Sequence, residues 1–111
     1  FEADKDAVAR LCAAADKVGA RTLCGTIASG DQFLADGARK RFIADTFSAI
    51  ACEMEGAAVA QVAYVNRTPF AVMRAISDSA SGDVTMEYPE FLAMAAAKSH
   101  AILDAFLAAE G

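Results

Sequence analysis

Phe70-Ala-Val-Met-Arg-Ala-Ile-Ser-Asp78 is an apolar, β-favouring run broken by one arginine and stopped abruptly on Ser77 and Asp78. In an open α/β sheet, ligands bind in the crevice at the carboxyl ends of the strands. A carboxylate at that place meets substrate, and a buried strand behind it holds it rigid. The pattern occurs twice more upstream. Residues 49–52 lead into Glu53-Met54-Glu55, and residues 23–28 lead into Ser29-Gly30-Asp31. Three apolar runs that each end in a polar cluster gather the acids at one sheet edge, which points to a site rather than to surface decoration.

Between these runs the periodicity is helical. Val8, Leu11, Cys12 and Ala15 fall at i, i+3, i+4 and i+7, which predicts an amphipathic helix over 4–18 that Gly19 stops. Residues 22–28 read as a buried strand, and 29–36 as a loop rich in turn formers. Residues 38–47 predict a short basic helix with Phe42 and Ile43 facing inward, and 49–52 a second strand. Gly56–Val65 is apolar almost all round, the mark of a helix buried on most sides. Asn66-Arg67-Thr68-Pro69 breaks it, 70–76 is the third strand, and 79–85 is a loop of small polar residues. Pro89 opens the last helix, with Phe91, Ala95, Ser99, Ile102 and Phe106 on one packed face. Strands alternating with helices imply an α/β fold with a mainly parallel sheet. Three strands make an incomplete layer, because parallel strands need cover on both faces and neighbours at both edges.

The composition sets further bounds. Hydrophobic residues make up 56% of the 111 and charged residues 23%, so the chain is a single folded unit that can bury a core. A chain of this size is expected to bury about 60–70% of its unfolded surface. The apolar excess implies that some surface is meant for a partner. With a net charge of −5 and Arg39-Lys40-Arg41 as the one basic cluster, there is no stripe to follow a phosphate backbone, which excludes nucleic acid as a partner. No apolar run reaches the roughly 18–20 residues of a membrane span, so no membrane is expected. Cys12, Cys24 and Cys52 lie in apolar segments at spacings of no zinc or redox motif, and read as reduced core thiols of a cytoplasmic protein.

Glu53 and Glu55 stand two apart, so in extended backbone they share a side while Met54 points away. An ionised carboxylate only accepts hydrogen bonds, and its two oxygens suit two neighbouring hydroxyls such as those of ribose. The alternatives are two solvated acids, or one acid paired with Arg74. Asp78 is a candidate general acid, or else a helix or turn cap. Donating a proton near neutral pH requires raising its pKa by about 3 units, roughly 4 kcal/mol, which desolvation and nearby carboxylates can supply. Gly25-Thr-Ile-Ala-Ser-Gly30-Asp31 imitates a P-loop but has Asp31 and Gln32 where Lys and Ser/Thr are needed. His100 is the sole histidine, so no metal site is expected. Phe33 and Tyr88 can stack on a flat ring or pack in the core.

Ser29-Gly-Asp-Gln-Phe33, Glu53-Met-Glu-Gly-Ala-Ala58 and Arg74-Ala-Ile-Ser-Asp78, in this order and spacing, resemble the 5′-methylthioadenosine/S-adenosylhomocysteine nucleosidases of the purine nucleoside phosphorylase superfamily. The resemblance covers nearly the whole chain and corresponds to the C-terminal portion of a single nucleosidase domain, the N-terminal half being absent. It implies part of a three-layer nucleoside phosphorylase-like α/β fold, with a central mixed, mainly parallel sheet flanked by helices. It implies hydrolysis of the N-glycosidic bond of these adenine nucleosides in a homodimer, with no metal or organic cofactor. Asp78 would protonate adenine N7 and Ser77 would orient its carboxyl. Glu55 would hold the ribose hydroxyls with Met54 against the sugar. Phe33 would stack on adenine and the Leu34 backbone would read its edge. Glu53 and Arg74 would form a supporting polar pair, and Tyr88 would stand near the 5′-alkylthio group. The residues that activate water belong to the absent half, so this chain alone is expected to be inactive. A phosphorylase using phosphate and a nucleoside-binding module without turnover are the alternative readings.

Overall fold

The computed structural model describes residues 1–77 and 87–110, and the expected loop at 79–85 falls outside them. Among the described residues, four helices and two strands follow one another as α1 (Lys5–Lys17), β1 (Thr26–Ser29), α2 (Gly37–Phe47), β2 (Ala49–Glu53), α3 (Gly56–Val65) and α4 (Tyr88–Ala108). The two strands pair in parallel, with Ile27 opposite Ala51, Ala28 opposite Cys52 and Ser29 opposite Glu53. Helix α2 forms the crossover between them and packs on both, as a parallel pair requires. The α/β class and the parallel sheet read from the sequence are therefore present.

Local chemistry accounts for the helix ends. Asp4 caps α1, its carboxylate accepting the Ala7 N–H at 2.8 Å, and Asp36 caps α2 by accepting the Ala38 N–H at 3.0 Å. Gly19, at φ 70°, takes the left-handed conformation that stops α1. Pro89 sits in the first turn of α4, where its missing N–H costs nothing.

The core lies between α1 and α4. Ala14, Ala15 and Ile102 are buried there, with Leu11, Ala20, Ala105 and Phe106 packed around them. Arg10 spans the same seam, its guanidinium 4.7 Å from the Phe106 ring centre and paired with Glu110. Within the 21 residues of helix α4, an 18-residue window has a mean hydropathy of 1.4, long and apolar enough to cross a membrane by those measures. That corrects the expectation that no run would qualify. Here its Ile102–Phe106 edge is packed on α1.

Five further expectations are revised. Residues 70–76 form no ladder, since among the described residues the sheet consists of β1 and β2 alone. A strand exists through a partner's N–H and C=O groups, which apolar β-favouring residues do not supply by themselves. For the same reason β1 begins at Thr26 rather than residue 22. Phe42 is 67% exposed, because α2 turns Ile43, Ala44 and Phe47 toward the sheet edge instead. Helix α3 buries only Ala60, leaving Val59, Val62, Tyr64 and Val65 exposed. Cys24 is exposed rather than part of a core.

Burial as a whole is thin. Among the described residues, the buried hydrophobic ones are four alanines and Ile102, and no large side chain is fully covered. The accessible surface is 8192 Å², against about 5,800 Å² for a compact monomer of this mass. Much of the apolar excess in the sequence is thus exposed in this structure.

Ile102, only 6% exposed, is the largest of the buried side chains in the α1–α4 seam. In the full-length protein, Ile102→Ala should cost about 2–5 kcal/mol and Ile102→Val about 0.5–1.5 kcal/mol. Denaturant unfolding of the two variants checks this, and equal small losses would show that the seam does not carry stability.

Candidate active site

Where β1 and β2 end, the parallel register sets Ser29 directly beside Glu53. The Ser29 hydroxyl donates to Glu53 Oε1, and the Gly30 N–H donates to the Glu53 carbonyl at 3.1 Å. The chain then leaves the extended conformation and α3 begins at Gly56. The first N–H groups of a helix have no partners within it, and Glu55, at the cap position, offers no side-chain acceptor. Glu53 and Ser29 fill that role. The Gly56 N–H donates to both Glu53 oxygens at 2.9 and 2.8 Å, and the Glu55 N–H to Oε2 at 2.9 Å. The Ala57 N–H donates to Ser29 Oγ at 2.9 Å.

Glu53 is consequently an internal group, with its side chain 4% exposed. Burial works against its charge. The Ser29 hydroxyl, the Glu55 and Gly56 amides and the Arg74 cation together outweigh that cost and hold the carboxyl below the usual range. A helix N-terminus favours the same ionised state. Glu55 differs in every respect: it is 63% exposed and faces a cleft of about 750 Å³. The two glutamates do not form an equivalent pair, because only Glu53 is in β2. Arg74 joins them, its Nη2 lying 3.7 Å from Glu53 Oε2 and 3.3 Å from Glu55 Oε1. The option of an acid paired with Arg74 is thus realised for both.

The cleft brings all three sequence motifs together. Phe33 and Leu34 come from the loop after β1, Met54 and Glu55 from the turn after β2, and Arg74 and Ser77 from the segment before residue 78. Phe33 presents its ring to the opening, 80% exposed. Met54 is roughly half exposed beside Glu55. Tyr88, the first residue of α4, is exposed and does not line this cleft. Asp78 lies outside the described residues. Among the described residues, no three His, Cys, Asp or Glu side chains gather as metal ligands.

Sequence reading placed Ser29 in a motif but gave it no role. Its function depends on the alignment of β1 with β2, a tertiary register that residue spacing does not encode. A serine and a glutamate each ending an apolar run was the available signal.

The depressed Glu53 pKa fixes the direction of a pH effect. Its stabilisation is present above the ordinary glutamate value of about 4.3 and is lost as pH falls through the lower folded value. Below about pH 4 the full-length protein should lose stability more steeply than its Glu53→Gln variant. Parallel curves in denaturant titrations between about pH 3 and 6 would show that Glu53 is not held ionised in the fold.

The comparisons with known proteins fit this geometry. The phosphorylase superfamily model matches residues 1–108. The 5′-methylthioadenosine/S-adenosylhomocysteine nucleosidase of Actinobacillus succinogenes is 42% identical over 100 residues, 89% of this chain and 44% of the relative. Among solved structures, the futalosine hydrolase of Helicobacter pylori aligns over 96% of this chain and 46% of its own, at TM-score 0.82 and 36% identity. The methylthioadenosine/adenosylhomocysteine nucleosidase of the same species aligns with the same coverage, TM-score and identity. It is complexed with an amino-pyrrolopyrimidine carried on a pyrrolidinol with a propynylthiomethyl arm. The chain spans less than half the length of these proteins. With the family match running from residue 1 to residue 108 and the fold shared over nearly all of that span, this chain belongs to the phosphorylase superfamily.

Proposed function

We propose that the full-length protein hydrolyses the N-glycosidic bond of 5′-methylthioadenosine and S-adenosylhomocysteine, releasing adenine. The observation that carries this reading is the convergence of three separate motifs on one cleft at the carboxyl ends of β1 and β2. The similarity to nucleosidases supports it. So does the ligand of the Helicobacter pylori nucleosidase, whose fused amino-pyrimidine, hydroxylated ring and thioether correspond to base, sugar and 5′-substituent.

In this reading Phe33 stacks on adenine and the Leu34 backbone reads its edge. Glu55, exposed in the cleft, accepts hydrogen bonds from the 2′ and 3′ hydroxyls, and Met54 packs against the sugar. Arg74 holds Glu55 in place from the Glu53 side. Asp78 donates its proton to adenine N7, Ser77 orients that carboxyl, and adenine departs neutral. The ribosyl cation left behind is captured by water, which groups outside this chain activate. Tyr88, at the start of α4 outside this cleft, would meet the 5′-alkylthio group only where that arm extends beyond it. The futalosine hydrolase likeness favours a second reading, in which the same chemistry acts on a nucleoside with a different 5′-substituent. Phosphorolysis, or nucleoside binding without turnover, are the remaining alternatives.

Turnover of methylthioadenosine by the full-length protein should release adenine and free methylthioribose at a rate independent of phosphate. Asp78→Asn should lower that rate by at least the 10²–10⁴-fold typical of general acid catalysis, while a tight-binding nucleoside analogue still binds. A sugar phosphate product identifies a phosphorylase. Binding without product identifies the non-catalytic reading, and turnover of futalosine alone identifies the second substrate. An Asp78→Asn rate within a few-fold of wild type removes Asp78 from the chemistry.

We also place the full-length protein in a homodimer. The exposed Val59, Val62 and Val65 on α3 give it an apolar face, and patches beyond a few hundred Å² are rare on soluble monomers. Sedimentation equilibrium should return twice the monomer mass, and a monomer at micromolar concentration contradicts the assignment.

A further inference from the structure

Cys12 and Cys24 lie apart from the cleft, and the reading of the site gives neither a task. Their sulfurs are 3.0 Å apart, about 1 Å beyond the length of a formed disulfide, roughly 2.05 Å. The approach follows from how the backbone is held. Leu11 packs into the Ala14–Ala15–Ile102 core, which sets the rotation of α1 and the position of Cys12 beside it. After Lys17 the chain reverses through Gly19 at φ 70°, and the Ala20 N–H returns to the Ala15 carbonyl at 2.9 Å. Residues 20–24 therefore run back toward α1. At the far end Gly25 is wedged against β2, where an added Cβ would lie 2.8 Å from Ile50 Cδ1. The two thiols thus meet on either side of a tight reversal, with Cys12 half-buried and Cys24 exposed.

We propose that Cys12 and Cys24 are a redox-active dithiol, a modification site at which a small-molecule disulfide is reduced and an intramolecular bond ties α1 to the lead-in of β1. The exposed Cys24 thiolate attacks one sulfur of the small disulfide RSSR. A Cys24–SR bond forms and RS⁻ leaves. The Cys12 thiolate then attacks Cys24 Sγ, forming the Cys12–Cys24 bond and expelling the second RS⁻. The protein gives up two electrons and two protons, and RSSR becomes two RSH. The hydrogen bond with Cys12 and the charge of Cys12 push the Cys24 thiol up from its ordinary value. The first step therefore accelerates with rising pH, because the thiolate is the nucleophile. Cys52, on β2, lines the cleft and is not part of the pair.

The test equilibrates the full-length protein in a series of oxidised-to-reduced glutathione ratios, quenches with acid, denatures, alkylates and maps the peptides. Cys12 and Cys24 should lose alkylation together, with one midpoint, and appear as a cross-linked peptide pair while Cys52 stays alkylated. The oxidised protein should unfold at higher denaturant than the reduced, since the bond closes a loop in the unfolded chain. That shift should vanish in Cys12→Ser and in Cys24→Ser. Thiols that stay alkylatable across the series overturn the proposal. So do separate glutathione adducts on each cysteine, a bond from either to Cys52, or a midpoint shift that survives both substitutions.

Discussion

A carboxylate under the edge of a sheet must be compensated or the structure around it gives way. Glu53 is that group here, and the strands, the third helix and the cleft all meet on it. Its oxygens accept the Ser29 hydroxyl and the Glu55 and Gly56 amides, and Arg74 lies 3.7 Å away. An uncompensated buried charge costs several kcal/mol. Removing any one of these partners would therefore disturb the end of β1, the start of α3 and the position of Arg74 together.

This arrangement divides the labour between two glutamates that the sequence shows only as neighbours. Glu53 spends its acceptors inside the protein, so its contribution is to fix geometry. Glu55 follows at the helix start, where its own backbone N–H is held by Glu53 at 2.9 Å and its carboxylate is left facing the cleft. Arg74 then restrains Glu55 from the adjoining segment at 3.3 Å. Preorganised carboxylates of this kind bind neighbouring hydroxyls without first being ordered, which saves the entropy of fixing a rotamer-rich side chain.

Much of this was legible in the residues. The apolar spacing of Val8, Leu11, Cys12 and Ala15 defines α1, and Gly56–Val65 is read to its bounds because Glu53-Met54-Glu55 precedes it and Asn66-Arg67 follows. The convergence of Ser29 and Glu53 on one edge follows from the rule that strand ends share an edge in a parallel sheet. What could not be read depends on neighbours. Whether 70–76 joins a ladder, whether Val59 and Val62 are covered, and whether Phe42 or Phe47 faces the sheet edge are set by what lies opposite them. The role of Ser29 needs the register of β1 on β2, and the approach of Cys24 to Cys12 needs the reversal at Gly19. None of these is a property of a local pattern.

The central claim is that Glu53 is an ionised internal clasp which leaves Glu55 to meet the ligand. Carboxyl-carbon NMR of the full-length protein, titrated with acid and then with a non-hydrolysable adenine nucleoside analogue, tests it directly. The account predicts that Glu53 titrates below the ordinary carboxylate range and keeps its resonance on ligand addition, while the Glu55 resonance moves. A Glu53 carboxyl that titrates at or above the ordinary range, or that responds to the ligand as strongly as Glu55, would contradict it.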